Sequence, residues 1–123
     1  MSFAALQYQS ARVRTASPVG VVVSLYEGAL RFLRESLVHQ ADGQLGKRGL
    51  SLSRAHAIIS ELRATLDHEQ APELSAQLES LYEFVIERIN AATRAGDATL
   101  VEPAIRVLAS LHDAWAEIAT RST

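Results

Sequence analysis

The side chains in this sequence that could carry chemistry are few and poorly grouped. Four histidines, His39, His56, His68 and His112, fall in separate segments, and no Glu-x-x-His pair accompanies any of them. A dinuclear metal site in a helical bundle needs that pair on two helices plus further inward glutamates. The pattern therefore predicts no metal site, and the histidines read as solvated side chains at helix edges. There is no cysteine, which removes disulfides, thiolate ligands and a cysteine nucleophile. No nucleophile turn or glycine cradle supports a Ser-His-Asp arrangement or a phosphate site. A histidine-phosphotransfer bundle would present an exposed mid-helix histidine followed by lysine and glycine. Instead Ala57-Ile58-Ile59 follow His56, and His39 stands near Gly43 at a helix end without the lysine. The expectation is no enzyme and no cofactor. What remains is the chemistry of recognition.

The chain has 123 residues, 48% of them hydrophobic, enough for one packed core and too few for two. Twelve basic against fourteen acidic residues give a net charge of -2, with no basic footprint for nucleic acid and no polybasic membrane anchor. The opening Met1 to Tyr8 lacks a basic region followed by an apolar run, so no secretory signal is predicted. The purely apolar run Val21-Val22-Val23 is far short of a membrane span. Together these predict a soluble, cytoplasmic protein without membrane insertion.

The elements that must position any binding residues are helices. Ser17-Pro18 is a strong helix start, since serine can accept from the free first-turn amides and proline loses nothing there. Apolar residues then recur at Val22, Leu25, Tyr26, Ala29, Phe32, Leu33 and Leu37 until Asp42-Gly43. Gln44 to Gly49, with two glycines and two cations, reads as a mobile connection. A second helix carries Leu52, Ala55, Ile58, Ile59, Leu62 and Leu66. Ala71-Pro72 opens a third, with a stripe of Leu74, Leu78, Leu81, Val85, Ile89 and Ala92 that stops at Gly96. The fourth starts at Thr99, with a capping box to Glu102 and Pro103 in its first turn, or at Asp97, where Pro103 would kink it. Its stripe is Val101, Ala104, Leu108, Leu111, Trp115 and Ile118. The predicted fold is all-α: a single antiparallel four-helix bundle, helices about 18–42, 50–67, 72–95 and 99–120, with an N-terminal arm over 1–16.

Several helices hold more apolar residues than one stripe needs: Val19, Val23 and Leu30, then Phe84 and Ile86, then Leu100, Ile105 and Val107. Surplus apolar surface marks an interaction site, and apolar grooves between helices accept amphipathic helices. Gly28 and Ala29 form a small-residue notch, open either to a neighbouring helix of the bundle or to a client. A second reading uses the same surplus for self-association as a structural helical adaptor.

One stretch carries a family likeness. Tyr8, then Thr15-Ala16-Ser17-Pro18, then Leu25-Tyr26-Glu27-Gly28-Ala29-Leu30-Arg31-Phe32-Leu33 resembles the flagellar secretion chaperone FliS family. Ile58-Ile59-Ser60-Glu61-Leu62, Leu81-Tyr82-Glu83-Phe84 and Leu111-His112-Asp113-Ala114-Trp115 extend the resemblance along nearly the whole chain. Val19-Gly20, Glu27 and the glycine-rich 43–49 stretch depart from the family pattern.

The resemblance implies a cytoplasmic export chaperone whose client is the disordered C-terminal segment of flagellin. Wrapping that segment would stop premature polymerisation and keep the client competent for flagellar secretion. The residues expected to bind it are Tyr8, Thr15, Leu25, Tyr26, Gly28, Ala29, Phe32, Leu33, Tyr82 and Trp115. Other flagellar export components stay open as partners, as do a monomeric and a homodimeric state. The apolar arm before Ser17, with Phe3, Leu6, Tyr8 and Val13, is expected to fold over the client groove and be displaced on binding.

Overall fold

Helical periodicity over almost every segment leaves the backbone one way to satisfy its polar groups. The computed structural model, which describes residues 18–121, accordingly consists of helices α1 (Pro18–Ala41), α2 (Leu45–Ala64), α3 (Pro72–Ala95) and α4 (Glu102–Arg121), with a 3-10 turn over Ala98–Val101 before α4. No strand occurs among the described residues. The N-terminal arm, Tyr8, Thr15 and the Ser17 cap lie outside them.

The valine triplet is helical, as its downstream periodicity requires, and α1 ends where Gly43 takes a left-handed φ of 71°. One expectation is corrected here. Gln44 to Gly49 is not a mobile connection, because α2 begins at Leu45 and runs through both glycines. Each costs about 1 kcal/mol in a helix interior. The turn is held from outside itself: the Arg48 guanidinium donates to the Gly96 carbonyl at 2.8 Å and to Gln40 at 3.3 Å. At its other end α2 stops at Ala64, short of the expected 67. The Asp67 carboxylate instead accepts from the amides of Glu69 and Gln70, both at 3.1 Å, which makes a turn rather than a further helical one.

Pro72 opens α3, and Gly96 closes it with a φ of 64°. The start of α4 takes a course between the two alternatives. Asp97, not Thr99, is the cap: its carboxylate accepts from the Thr99 amide at 3.0 Å and hydroxyl at 2.7 Å. The chain then makes one 3-10 turn, so Pro103 falls in the first turn of α4, where its missing amide costs little.

Cross-helix contacts define the topology. Tyr26 meets Tyr82 while Gln40 meets Asp97, so α1 and α3 run parallel on a diagonal. Arg63 pairs with Glu79 and Glu83 while Arg48 reaches Gly96, so α2 and α3 are antiparallel. His112 meets Glu27 while Ala98 meets Gln40, which makes α4 antiparallel to α1. The result is an up-down-up-down bundle. A single core runs through it, with Tyr26, Leu33, Leu52, Ile59, Tyr82, Val85, Ile89, Val101 and Leu108 buried.

The far end of the bundle, where α1, α2 and the α3–α4 connection meet, is tied by Gln40. Its Oε1 accepts from the amide of fully buried Ala98 at 2.5 Å, and its Nε2 donates to Asp97 at 3.1 Å. Gln40→Ala leaves that amide buried and unpaired, at a cost of about 1–3 kcal/mol. The expected outcome is a lower urea midpoint with an unchanged transition slope.

Candidate functional site

Two helices of the bundle meet incompletely. α1 packs extensively on α2 and α4, and α3 on α2 and the 3-10 turn, but α3 and α4 touch each other only sparsely. At about 100° per residue, Leu74, Leu81 and Phe84 fall on the flank of α3 opposite Glu79 and Glu83, the residues that pair with Arg63 of α2. That flank therefore turns toward α4. On α4, Ala109 and His112 face α1, so Val107, Leu111 and Ile118 turn toward α3. Leu74 remains 49% exposed, Phe84 38% and Ile118 43%. Leu81 and Leu111 are half-buried against the core. Both walls carry these apolar side chains, with Gln77 and Arg88 on the same flank of α3, and the two helices touch only sparsely.

Its floor is an aromatic cluster. The Tyr26 and Tyr82 hydroxyls, one from each parallel helix, hydrogen-bond at 2.7 Å. Their rings stand edge to face, 6.3 Å between centroids at 61°, a favourable arrangement of ring quadrupoles. Trp115 of α4, beside Tyr26, and Leu25 of α1 pack half-buried on the same core. Burial pushes the ionisation of both phenols upward; the shared bond raises Tyr82 further, while Tyr82 and Trp115 partly offset the shift at Tyr26. The sign for stability follows. An unfolded phenol ionises near its ordinary value of 10.0, and the folded one resists, so stability falls as pH rises above that value. An alkaline spectrophotometric titration should show Tyr26 and Tyr82 ionising together with loss of the helical circular dichroism signal.

The expected binding residues divide by location. Tyr26, Tyr82 and Trp115 come together in the core beneath the cleft, the two tyrosines buried, while Leu25 packs on the same core from the face of α1 that carries Phe32. Gly28, Ala29, Phe32 and Leu33 lie on the seam between α1 and α2, all buried. The notch is occupied from within: a Cβ on Gly28 would stand 3.2 Å from Cδ1 of Ile58 on α2. Phe32 has two cations near its ring, with Arg31 4.8 Å and Arg54 5.7 Å from its centre. Leu30, one of the surplus apolar residues, is also buried, whereas Phe84 stays exposed and Val19, Val23, Ile86, Leu100, Ile105 and Val107 are half-buried.

Sequence reasoning missed Leu74, Leu81, Leu111 and Ile118 as cleft residues, because they satisfy the periodicity of a core stripe. The available signal was width. On α3 the apolar arc extends past Leu78, Val85 and Ile89 to include Phe84, wider than one neighbouring helix can cover. On the other side of α4 a shallow groove of about 610 Å³ has Leu30, Val38 and Ala109 as its apolar lining and Glu27, Arg31, Arg34, Glu35, His112 and Asp113 as its polar one. Among the described residues there is no cluster of three metal-ligating side chains, and no helix is long and apolar enough to cross a membrane.

The chain matches the family model of the flagellar protein FliS over residues 1–122. It belongs to the FliS family. Among its relatives, the flagellar secretion chaperone FliS of Escherichia coli (strain K12) is 37% identical over 118 residues, spanning 94% of this chain and 85% of that protein. The flagellar secretion chaperone FliS of Salmonella typhimurium is 30% identical over 123 residues, 99% of this chain and 90% of that one. The flagellar secretion chaperone FliSB of Pseudomonas aeruginosa is also 30% identical, over 113 residues, covering 89% and 90%. This member of the FliS family is, over its described residues, an all-helical bundle whose third and fourth helices touch only sparsely.

Proposed function

We propose that this FliS-family chain is a cytoplasmic export chaperone that holds the disordered C-terminal segment of flagellin in the α3–α4 cleft. The observation that carries this reading is the pair of sparsely touching walls and their apolar side chains, Leu74, Leu81 and Phe84 against Val107, Leu111 and Ile118. An amphipathic helix laid between them would bury anchors spaced along its own apolar face. Trp115 is the contact at the base of the cleft, Tyr26, Tyr82 and Leu25 support it from the core, and Tyr8 and Thr15 contribute from the N-terminal arm. Gly28, Ala29, Phe32 and Leu33 hold the seam on which the floor rests. A client that orders on binding loses conformational freedom, so it needs a long, mainly apolar surface. Covering the segment keeps it from joining other flagellin molecules, and release requires no covalent step.

Isothermal titration calorimetry with a flagellin C-terminal peptide tests the proposal. Saturable binding with a negative heat-capacity change is expected; no heat and no shift in the thermal unfolding midpoint would reject it. In the same experiment, a chain lacking residues 1–14 should bind equally or more tightly, because the arm competes for the cleft and removing that competition outweighs the loss of Tyr8. Complete loss of binding on that deletion would refute its role as a lid.

The second reading, self-association, draws on a different patch: Val38, Leu45 and Leu50 stand exposed around the α1–α2 corner. A mass that rises with concentration, without affinity for the peptide, would favour it.

A further inference from the structure

The two walls of the cleft are anchored very differently. α3 sends Leu78, Tyr82, Val85, Ile89 and Ala92 into the core along its length. α4 is fully buried only near its beginning: Ala104 and Leu108 follow buried Ala98 and Val101 of the 3-10 turn, and from Ala109 to Arg121 no residue is buried. The anchored end is also tied by polar bonds, Gln40 to the Ala98 amide and to Asp97. Over the second half Ala109, Leu111 and Trp115 pack against the core only half-buried, and side-chain contacts to α1 add to them. His112 sets Nε2 3.2 Å from Glu27 Oε2 of α1, with Nδ1 3.1 Å from Asp113 Oδ1 of its own helix. Trp115 packs half-buried against the core beside Tyr26.

We propose that α4 is a lever: it pivots about the 3-10 turn at Ala98–Val101, and its C-terminal half swings away from α1 and α3 when the His112–Glu27 and Trp115–Tyr26 latches release. The inference deepens the client-binding reading and rests on it for its purpose, since a cleft with half-exposed walls must widen to take a helix roughly 10 Å across. Opening leaves little behind that is unsatisfied. The Tyr26 and Tyr82 hydroxyls remain bonded to each other at 2.7 Å after Trp115 departs, and Glu27, His112 and Asp113 pass into water. Pivoting keeps the internal hydrogen bonds of α4 intact, so the motion requires no unfolding. Trp115, the one tryptophan of the chain, moves from half-burial to the cleft wall, where a client can cover it.

The absence of native cysteine allows paired spin labels in the full chain. One pair, Ala57→Cys with Arg121→Cys, reports the free end of α4; the other, Ala57→Cys with Arg106→Cys, reports the anchored end. Removing both latches, His112→Ala with Trp115→Phe, should lengthen and broaden the first distance while leaving the second unchanged. Saturating flagellin C-terminal peptide should move the first pair in the same direction. An unchanged first distance on latch removal, equal shifts at both pairs, or bound peptide with no movement would each overturn the lever. A peptide that fails to bind, with the latch variant still opened, would sink the client reading and leave the lever standing.

Discussion

A chain carrying Phe84→Glu and Ile118→Glu is expected to stay folded and to lose affinity for the flagellin C-terminal segment by about 100-fold or more. Both side chains are already largely in water, 38% and 43% exposed, and both lie on helix surfaces where glutamate is a good helix former. Their replacement therefore removes little from the folded state, and the thermal midpoint should move by no more than a few degrees. In the complex each would be covered by an apolar client. Losing one such anchor typically costs about 2 kcal/mol, and a carboxylate desolvated without a partner adds to this. Two sites, one on each wall, make the loss large even if the effects are not additive. Val38→Glu is the control, because Val38 is even more exposed but lies along α1 near the α1–α2 corner. Calorimetry on the three chains decides the matter. Intact binding by the double variant, or an equal loss with Val38→Glu, would show that the cleft is not where the client sits.

Ala29→Glu should do the opposite: abolish the fold rather than the binding surface. Ala29 is fully buried at the α1–α2 seam, one residue from the point where Ile58 packs on Gly28. A glutamate there must bury a charge with no room for its side chain. The cost is at least about 4 kcal/mol, from overpacking plus an unpaired buried carboxylate. That approaches the whole stability of a domain this size, about 5–15 kcal/mol. Circular dichroism should show no cooperative thermal transition at neutral pH. Gly28→Ala probes the same seam gently. The new methyl would press on the flexible tip of Ile58 at 3.2 Å, while the helix gains about 1 kcal/mol in propensity, so the net change should be small. A folded Ala29→Glu chain that has lost only client binding would mean that the notch opens to a partner after all.

The contrast between these two experiments shows which parts of the site were readable. The Gly28-Ala29 pair and Phe84 have the same kind of credentials in sequence, small or apolar residues beside a helical stripe. One is consumed by α2 and the other faces solvent. No local rule separates them, because the difference is whether a neighbouring helix happens to pass within contact distance. Gly46 and Gly49 teach the same lesson for the backbone. Their propensity argues against a helix, yet Arg48 between them finds Gly96 and Gln40 across the bundle, and those distant bonds keep the turn helical.

Helix number, the breaks at Gly43 and Gly96, and the placement of Pro72 and Pro103 follow from the chain alone, since capping, left-handed glycine and proline's missing amide act over a few residues. The family likeness is equally local, being carried by residue identity. Tertiary structure decided the rest: that α3 and α4 hardly touch, that Tyr26 and Tyr82 share a hydrogen bond across 56 positions of sequence, and that Leu74 and Ile118 end in a cleft instead of the core. Burial depends on which surfaces the packed helices bring together, and periodicity specifies only which face of each helix is apolar, never how much of that face a neighbour will cover.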